Sequence, residues 1–216
     1  MKCNPNQSNT LRRQAKRAFT LIEMIGVLAV IAILAALLIP RVFSAINDAR
    51  VNSACVNIET VKTALADHYG KYGKFDQLYG TNTSIPGSPI TGIVDRYDQV
   101  ILMAEGLLDK PFASKIAGGD PVADSTIEIC AGGQENGTVN GYYLSGTNNQ
   151  TAGAQYVIEA KLSNVSAQDA KDLNDRIDGI SMGAVDLVTQ DNKGRVEYAA
   201  PVGGLVSALY IYITHR

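Results

Sequence analysis

The sequence predicts an α+β fold in which one long N-terminal α-helix, half transmembrane and half amphipathic, packs on a small antiparallel β-sheet. Three observations carry this prediction. Residues 19–39, "FTLIEMIGVLAVIAILAALLI", are apolar apart from Glu23 and two small polar or flexible positions. Apolar residues then recur every three or four positions as far as about Tyr69. The C-terminal part holds short β-branched and aromatic runs separated by Gly, Asn and Asp.

The first element is the apolar run. The 216 residues, 46% apolar and 19% charged, suit one ordinary domain with an appendage rather than a disordered chain. The net charge of −2 hides an asymmetry: residues 1–18 carry Lys2, Arg12, Arg13, Lys16 and Arg17 and no acid. Without those five basic groups, 14 remain against 21 acidic side chains, about −7 for the rest of the chain. A basic arm ending directly against an apolar run reads as a positive-inside flank that orients a membrane helix, rather than as a nucleic-acid arm. The 21 residues from Phe19 to Ile39 rise roughly 31 Å as a helix, close to the hydrocarbon thickness of a bilayer. A cleaved secretory signal fits poorly, because its apolar region is usually about 7–15 residues and the nearest small-x-small site, Phe43-Ser44-Ala45, lies beyond Pro40 and Arg41.

Glu23 is the anomaly. A carboxylate at mid-membrane depth costs about 2.5–3.5 kcal/mol and normally has a partner, yet the run contains no Lys or Arg. A cut between Ala18 and Phe19 would place a new α-amino group one helical turn before Glu23, within one helix or between neighbouring helices.

"RAFTLIE", the apolar run and Pro40 resemble the class III signal of type IV pilins and type II secretion pseudopilins, whose usual form is G/FTLIE. The resemblance implies a pilin-like fold and a leader, residues 1–18, removed by a prepilin peptidase between Ala18 and Phe19, with N-methylation of Phe19. It implies that Glu23 neutralises a neighbouring subunit's amine during assembly. Its partners would be other copies of the chain and minor pilins, an inner-membrane assembly platform and membrane lipid. Ala18 departs from the family, which nearly always has Gly there, so processing is expected to be slower.

The helix should continue from residue 40 to 69. Val42, Ala45, Ile46, Ala49, Val56, Ala64, Leu65 and His68 mark its apolar stripe, and Gly70 and Gly73 its stop. Pro40 lacks an N–H and should kink or loosen the helix, either as a hinge used in filament packing or as a membrane-exit kink. Residues 70–216 form the head. Residues 76–94 read as a loop, and Asp95 to Asp109 as a short helix with Tyr97, Val100, Ile101, Ala104, Leu107 and Leu108 on one face. Strand candidates are 126–131, 138–145, 154–162 and the closing run "LVSALYIYITH". Ser166 with Asp169 three positions on starts a helix that stops at Gly179, and "AVDLVTQDNKGRVEYAA" reads as a hairpin about Asp191 to Gly194.

Catalytic chemistry has little to stand on. His68 sits on the apolar stripe, where packing is the simpler reading, and His215 is next to the C-terminus. No G-x-S-x-G, H-E-x-x-H or P-loop occurs, so no enzyme, cofactor or resident metal is expected. Asp169, Asp172, Asp175 and Asp178 recur every three residues and drift round a helix by about 60° per step, so they read as a solvated face rather than calcium ligands. "TQDNKGR" suits either a calcium loop or a hairpin turn. The acidic mature part lacks a basic stripe, so no nucleic-acid partner is expected. Cys55 and Cys130 can pair in an oxidising compartment or stay as buried thiols, while Cys3 would leave with the leader. These readings point to a pilin or pseudopilin, a structural filament subunit stored in the inner membrane with its head in the periplasm. The alternative is a membrane-anchored periplasmic binding or adhesive domain that never polymerises.

Overall fold

The computed structural model describes residues 19–77, 93–132, 141–183 and 186–216. The leader with Ala18 and Cys3, most of the expected loop 76–94 and part of the strand candidate 138–145 lie outside them. The chain divides into two compact units, residues 1–44 and 45–216, and helix α1 (Leu21–Tyr72) contributes to both.

In the first unit every described residue is exposed, among them Leu21, Ile22, Leu28 and Leu37. Its most apolar stretch is long enough to cross a membrane. α1 passes through Pro40 without a break, and the Ser44 hydroxyl donates to the Pro40 carbonyl at 3.2 Å.

The second unit holds the core. Val51, Ala54, Ile58, Val61, Leu65 and His68 of α1 are buried. Their alternating three- and four-residue spacing keeps one stripe of the helix against its partner. The stripe differs from the expected one: Val42 and Ile46 are exposed because the packed face begins at Val51, and Val56, between Ala54 and Ile58, falls on another side of the helix. α1 also runs through Gly70. It stops where Gly73 takes φ +70° and donates its N–H to the Tyr69 carbonyl at 2.7 Å, a left-handed helix end that glycine enters at little steric cost.

Five antiparallel strands follow: β1 (Ile93–Val94), β2 (Ser125–Ala131), β3 (Tyr156–Ser166), β4 (Val196–Tyr198) and β5 (Leu205–His215), in the spatial order β1-β2-β3-β5-β4. Both edge strands are very short, which limits the unpaired backbone offered to other chains. Helix α2 (Ala167–Ile177) follows β3. Ser166 caps it, its hydroxyl oxygen accepting from the Asp169 N–H. Ile127 and Ile129 of β2, Ile158, Ala160 and Leu162 of β3, Leu209 and Ile211 of β5, and Leu173 of α2 join the α1 stripe in one core.

Further expected elements differ: residues 141–145 of the strand candidate 138–145 are irregular chain and turn, and Ile93–Val94, at the end of the expected loop 76–94, form β1. The helix at Asp95 to Asp109 is a short π-helical segment, Asp98–Leu102, followed by turns. Arg96 at φ 59° and Gly106 at φ 71° bracket it with backbone a longer α-helix does not use. The wider turn buries Leu102 with Tyr97 and Ile101, while Val100 and Ala104 face outward. The expected hairpin about Asp191 to Gly194 is reduced to one antiparallel bridge, Asp191 with Tyr198, and the chain reverses again at Val202 to Leu205, so that Val196–Tyr198 pairs with β5. Asp178 holds the displaced turn, its Oδ2 accepting from the Arg195 and Val196 N–H groups at 2.8 Å each.

Candidate assembly site and the sheet's outer face

The N-terminal site is built from four residues. Thr20 precedes the first helical residue, Leu21, and its side chain and that of Glu23 answer one another. The Thr20 N–H and hydroxyl donate to Glu23 Oε2 at 2.8 and 2.7 Å, and the Glu23 N–H reaches Thr20 Oγ1 at 3.3 Å. This is a capping box: two helix-end donors are satisfied reciprocally by a Thr and by an acid three residues on. The sequence reading partnered Glu23 with an amine at Phe19, one turn away, and missed Thr20, although T-x-x-E stood within the quoted motif. Phe19 is 75% exposed beside it, so its backbone nitrogen and the Glu23 carboxylate share the same open helix end.

The remaining candidates lie in the head. His68 is fully buried, with Nδ1 2.7 Å from Glu105 Oε1 and the Tyr72 and Tyr97 rings against it, so it packs as expected but with a carboxylate partner the sequence did not disclose. His215 Nδ1 lies 2.5 Å from the Tyr212 hydroxyl. The four aspartates separate: Asp169 turns to Ser166, Asp172 accepts from Gln168, Asp175 meets Lys171 and Asp178 caps the β4 entry. Asp191 accepts from the Lys193 N–H and from the Asn174 amide, closing its loop.

Cys55 and Cys130 stand as two thiols, with no disulfide between them. Strand alternation explains it. Ile127 and Ile129 face the α1 core, so Cys130 between and beyond them faces the opposite side of the sheet. Cys55 lies on α1, in a groove of about 220 Å³ shared with Ile58, Arg176 and Tyr212, and burial raises its thiol pKa against the pull of Arg176.

That outer face carries a polar cluster that sequence analysis did not single out. Glu128, Cys130, Glu159 and Glu197 are each at most 1% exposed. Glu128 and Glu159 are direct partners across β2 and β3. Lys161 Nζ stands 3.0 Å from Glu128 Oε1, the Tyr142 hydroxyl donates to Glu159 Oε2 at 2.6 Å, and the Tyr143 N–H donates to Glu197 Oε1 at 3.2 Å. Burial pushes the Glu128 carboxyl upward, Lys161 opposes it, and Asp95 adds to it. Burial likewise raises Glu197 to about 8, against the Tyr143 N–H and helped by Asp191, Asp178 and Glu159.

The first unit is thus an exposed apolar helix headed by a capped acid and long and apolar enough to cross a membrane, and the second a helix packed on a five-stranded sheet. Residues 13–39 match the prokaryotic N-terminal methylation motif. A fimbrial protein of Neisseria meningitidis serogroup A is 31% identical over 106 residues, 49% of this chain and 58% of that protein. The type IV major pilin protein PilE1 of Neisseria gonorrhoeae is 31% identical over 100 residues, 46% of this chain and 44% of the relative. The chain thus spans about half the length of the curated relatives it matches. No solved structure matches significantly. The chain is thus similar to type IV pilin proteins in its N-terminal motif and over about half its length.

Proposed function

We propose that the chain is a structural subunit of a type IV pilus, held in the inner membrane and polymerised through the first half of α1. The observation that carries this reading is the fully exposed apolar segment, which needs lipid or neighbouring helices to cover it. A prepilin peptidase cuts between Ala18 and Phe19 and methylates Phe19. The head lies in the periplasm until an assembly platform extracts the helix into a filament with other copies and minor pilins. Similarity to a fimbrial protein and to a type IV major pilin supports a pilus over a secretion pseudopilus. Mass spectrometry of the N-terminal peptide, from cells with and without the peptidase, tests it. Peptidase-dependent N-methyl-Phe19 is expected; a retained Met1 overturns the pilin route.

The capping box favours a second reading. Since Thr20 already satisfies Glu23 within the chain, the acid does not require a neighbouring subunit, as in an anchored domain that never polymerises. Glu23→Ala separates the two: a filament subunit inserts but loses assembly, whereas an anchor inserts as before and shows no more than fraying of its first helical turn.

A further inference from the structure

We propose that the outer face of the sheet binds one divalent cation of the zinc class, through the Cys130 thiolate and the Glu128 and Glu159 carboxylates. The inference does not depend on filament assembly. Glu128 and Cys130 are two residues apart on β2 and therefore point the same way, and β3 sets Glu159 directly opposite Glu128. One donor atom from each of the three lies within 4.8 Å of the others, and all three residues are buried.

The spacing suits tetrahedral coordination. Cys130 Sγ is 3.4 Å from Glu159 Oε1. Ligands at about 2.3 Å (sulfur) and about 2.1 Å (oxygen) on one tetrahedral zinc stand about 3.6 Å apart. A thiolate beside two carboxylates selects zinc over calcium or magnesium, which take oxygen ligands, and the fourth position is left to water.

A second observation points to a ligand rather than to a structural acid pair. Glu128 Oε2 is buried and meets no donor among the described residues, its side chain facing the Asp95 carboxyl, while its other oxygen takes Lys161 and the Thr126 hydroxyl. Two carboxylates directly opposite each other on neighbouring strands repel unless a proton or a cation stands between them. The outer partners a metal site needs are in place: Tyr142 holds Glu159 Oε2, and Lys161 with Thr126 holds Glu128 Oε1. Asp95, exposed and acting on Glu128, marks the side from which a cation enters. On binding, the Cys130 S–H bond breaks, the thiolate joins the metal and the proton passes to solvent.

The test uses the full chain in detergent, reduced and stripped of metal. Equilibrium dialysis against zinc chloride with elemental analysis is expected to give one zinc per chain. Cobalt substitution of the unmutated protein is expected to give a thiolate-to-cobalt charge-transfer band, and zinc X-ray absorption one sulfur at about 2.3 Å with oxygens at about 2.0–2.2 Å. Cys130→Ser and Glu128→Gln should each weaken binding at least about 100-fold, while Cys55→Ser leaves it unchanged. Absence of the charge-transfer band from the unmutated protein overturns the proposal, whether or not the variants fold. So does zinc that binds Cys130→Ser as tightly, or that is lost in Cys55→Ser.

Discussion

The two halves of α1 obey opposite rules within one uninterrupted helix. From Leu21 to Ser44 no residue is buried although nearly all are apolar; from Val51 to His68 the apolar residues sit every three or four positions and vanish into the core. Hydrophobicity alone therefore does not determine burial here; periodicity does, because only a stripe can be covered by one sheet. Each half also carries an ionisable group with opposite circumstances: Glu23 is exposed and answered by its own neighbour, while His68 is sealed against Glu105. His68→Ala strands a buried carboxylate and is expected to destabilise the head by about 3–5 kcal/mol. Glu23→Ala should leave the head's melting temperature unchanged, so comparable losses from both would break the comparison.

The next contrast removes the same atoms from each half. Leu65→Ala opens a cavity in the core and should cost about 2–5 kcal/mol in denaturant or thermal unfolding of the head, with the larger figure if the site cannot collapse. Leu28→Ala removes surface that is 65% exposed and should shift head stability by less than about 0.5 kcal/mol, its effect appearing in membrane partition instead.

A smaller effect follows from the sheet's outer face. The Glu197 pKa is raised from 4.5 to about 8 in the folded chain. Its folded form thus holds a proton that the unfolded chain has released, and its contribution to stability is full below about pH 4.5 and lost as pH rises through about 8. Unfolding with a chelator present should show stability declining across that window, and Glu197→Gln should flatten the decline. An unchanged slope in the variant would assign it to other groups.

Much of this architecture was legible because local signals and packing agree. Ser166 followed by Asp169 announced α2, and "TIEICA" and "LVSALYIYITH" read as strands and are strands. The segment after Asp95 misled because its apolar spacing fits a helix, while Arg96 and Gly106 adopt left-handed backbone and Asp98 turns inward to accept from the Phe112 N–H at 2.7 Å. The hairpin about Asp191 to Gly194 survives only as the Asp191–Tyr198 bridge, because its second arm pairs with β5 and Asp178 takes up the Arg195 and Val196 N–H groups. The outer cluster was half legible: Glu128 and Cys130 alternate with isoleucines and must share a face. That Glu159 stands opposite them depends on the register of β2 against β3, and that β3 lies beside β5 rather than β4 is topology no local pattern encodes.

The smallest expected effect compares one device used twice. Ser166 and Thr20 each precede a helix whose third residue on is an acid, and each side-chain oxygen accepts from that residue's N–H. Ser166→Ala should cost about 0.5–2 kcal/mol of head stability, because α2 is packed into the core and its fraying loosens Leu173. Thr20→Ala loses a cap of similar strength, but at an exposed helix end of the first unit, so head unfolding should not register it. Its signature lies in the Glu23 carboxylate, which no longer has the Thr20 hydroxyl to hold it. If Glu23 serves assembly, freeing it from its own helix should alter filament yield while leaving insertion intact. If the acid serves only as the reciprocal half of the cap, Thr20→Ala and Glu23→Ala should produce the same modest fraying, measured by hydrogen exchange of the first helical turn, and no assembly defect. The double variant then distinguishes a shared role from two separate ones, since groups acting as one capping unit give losses that do not add.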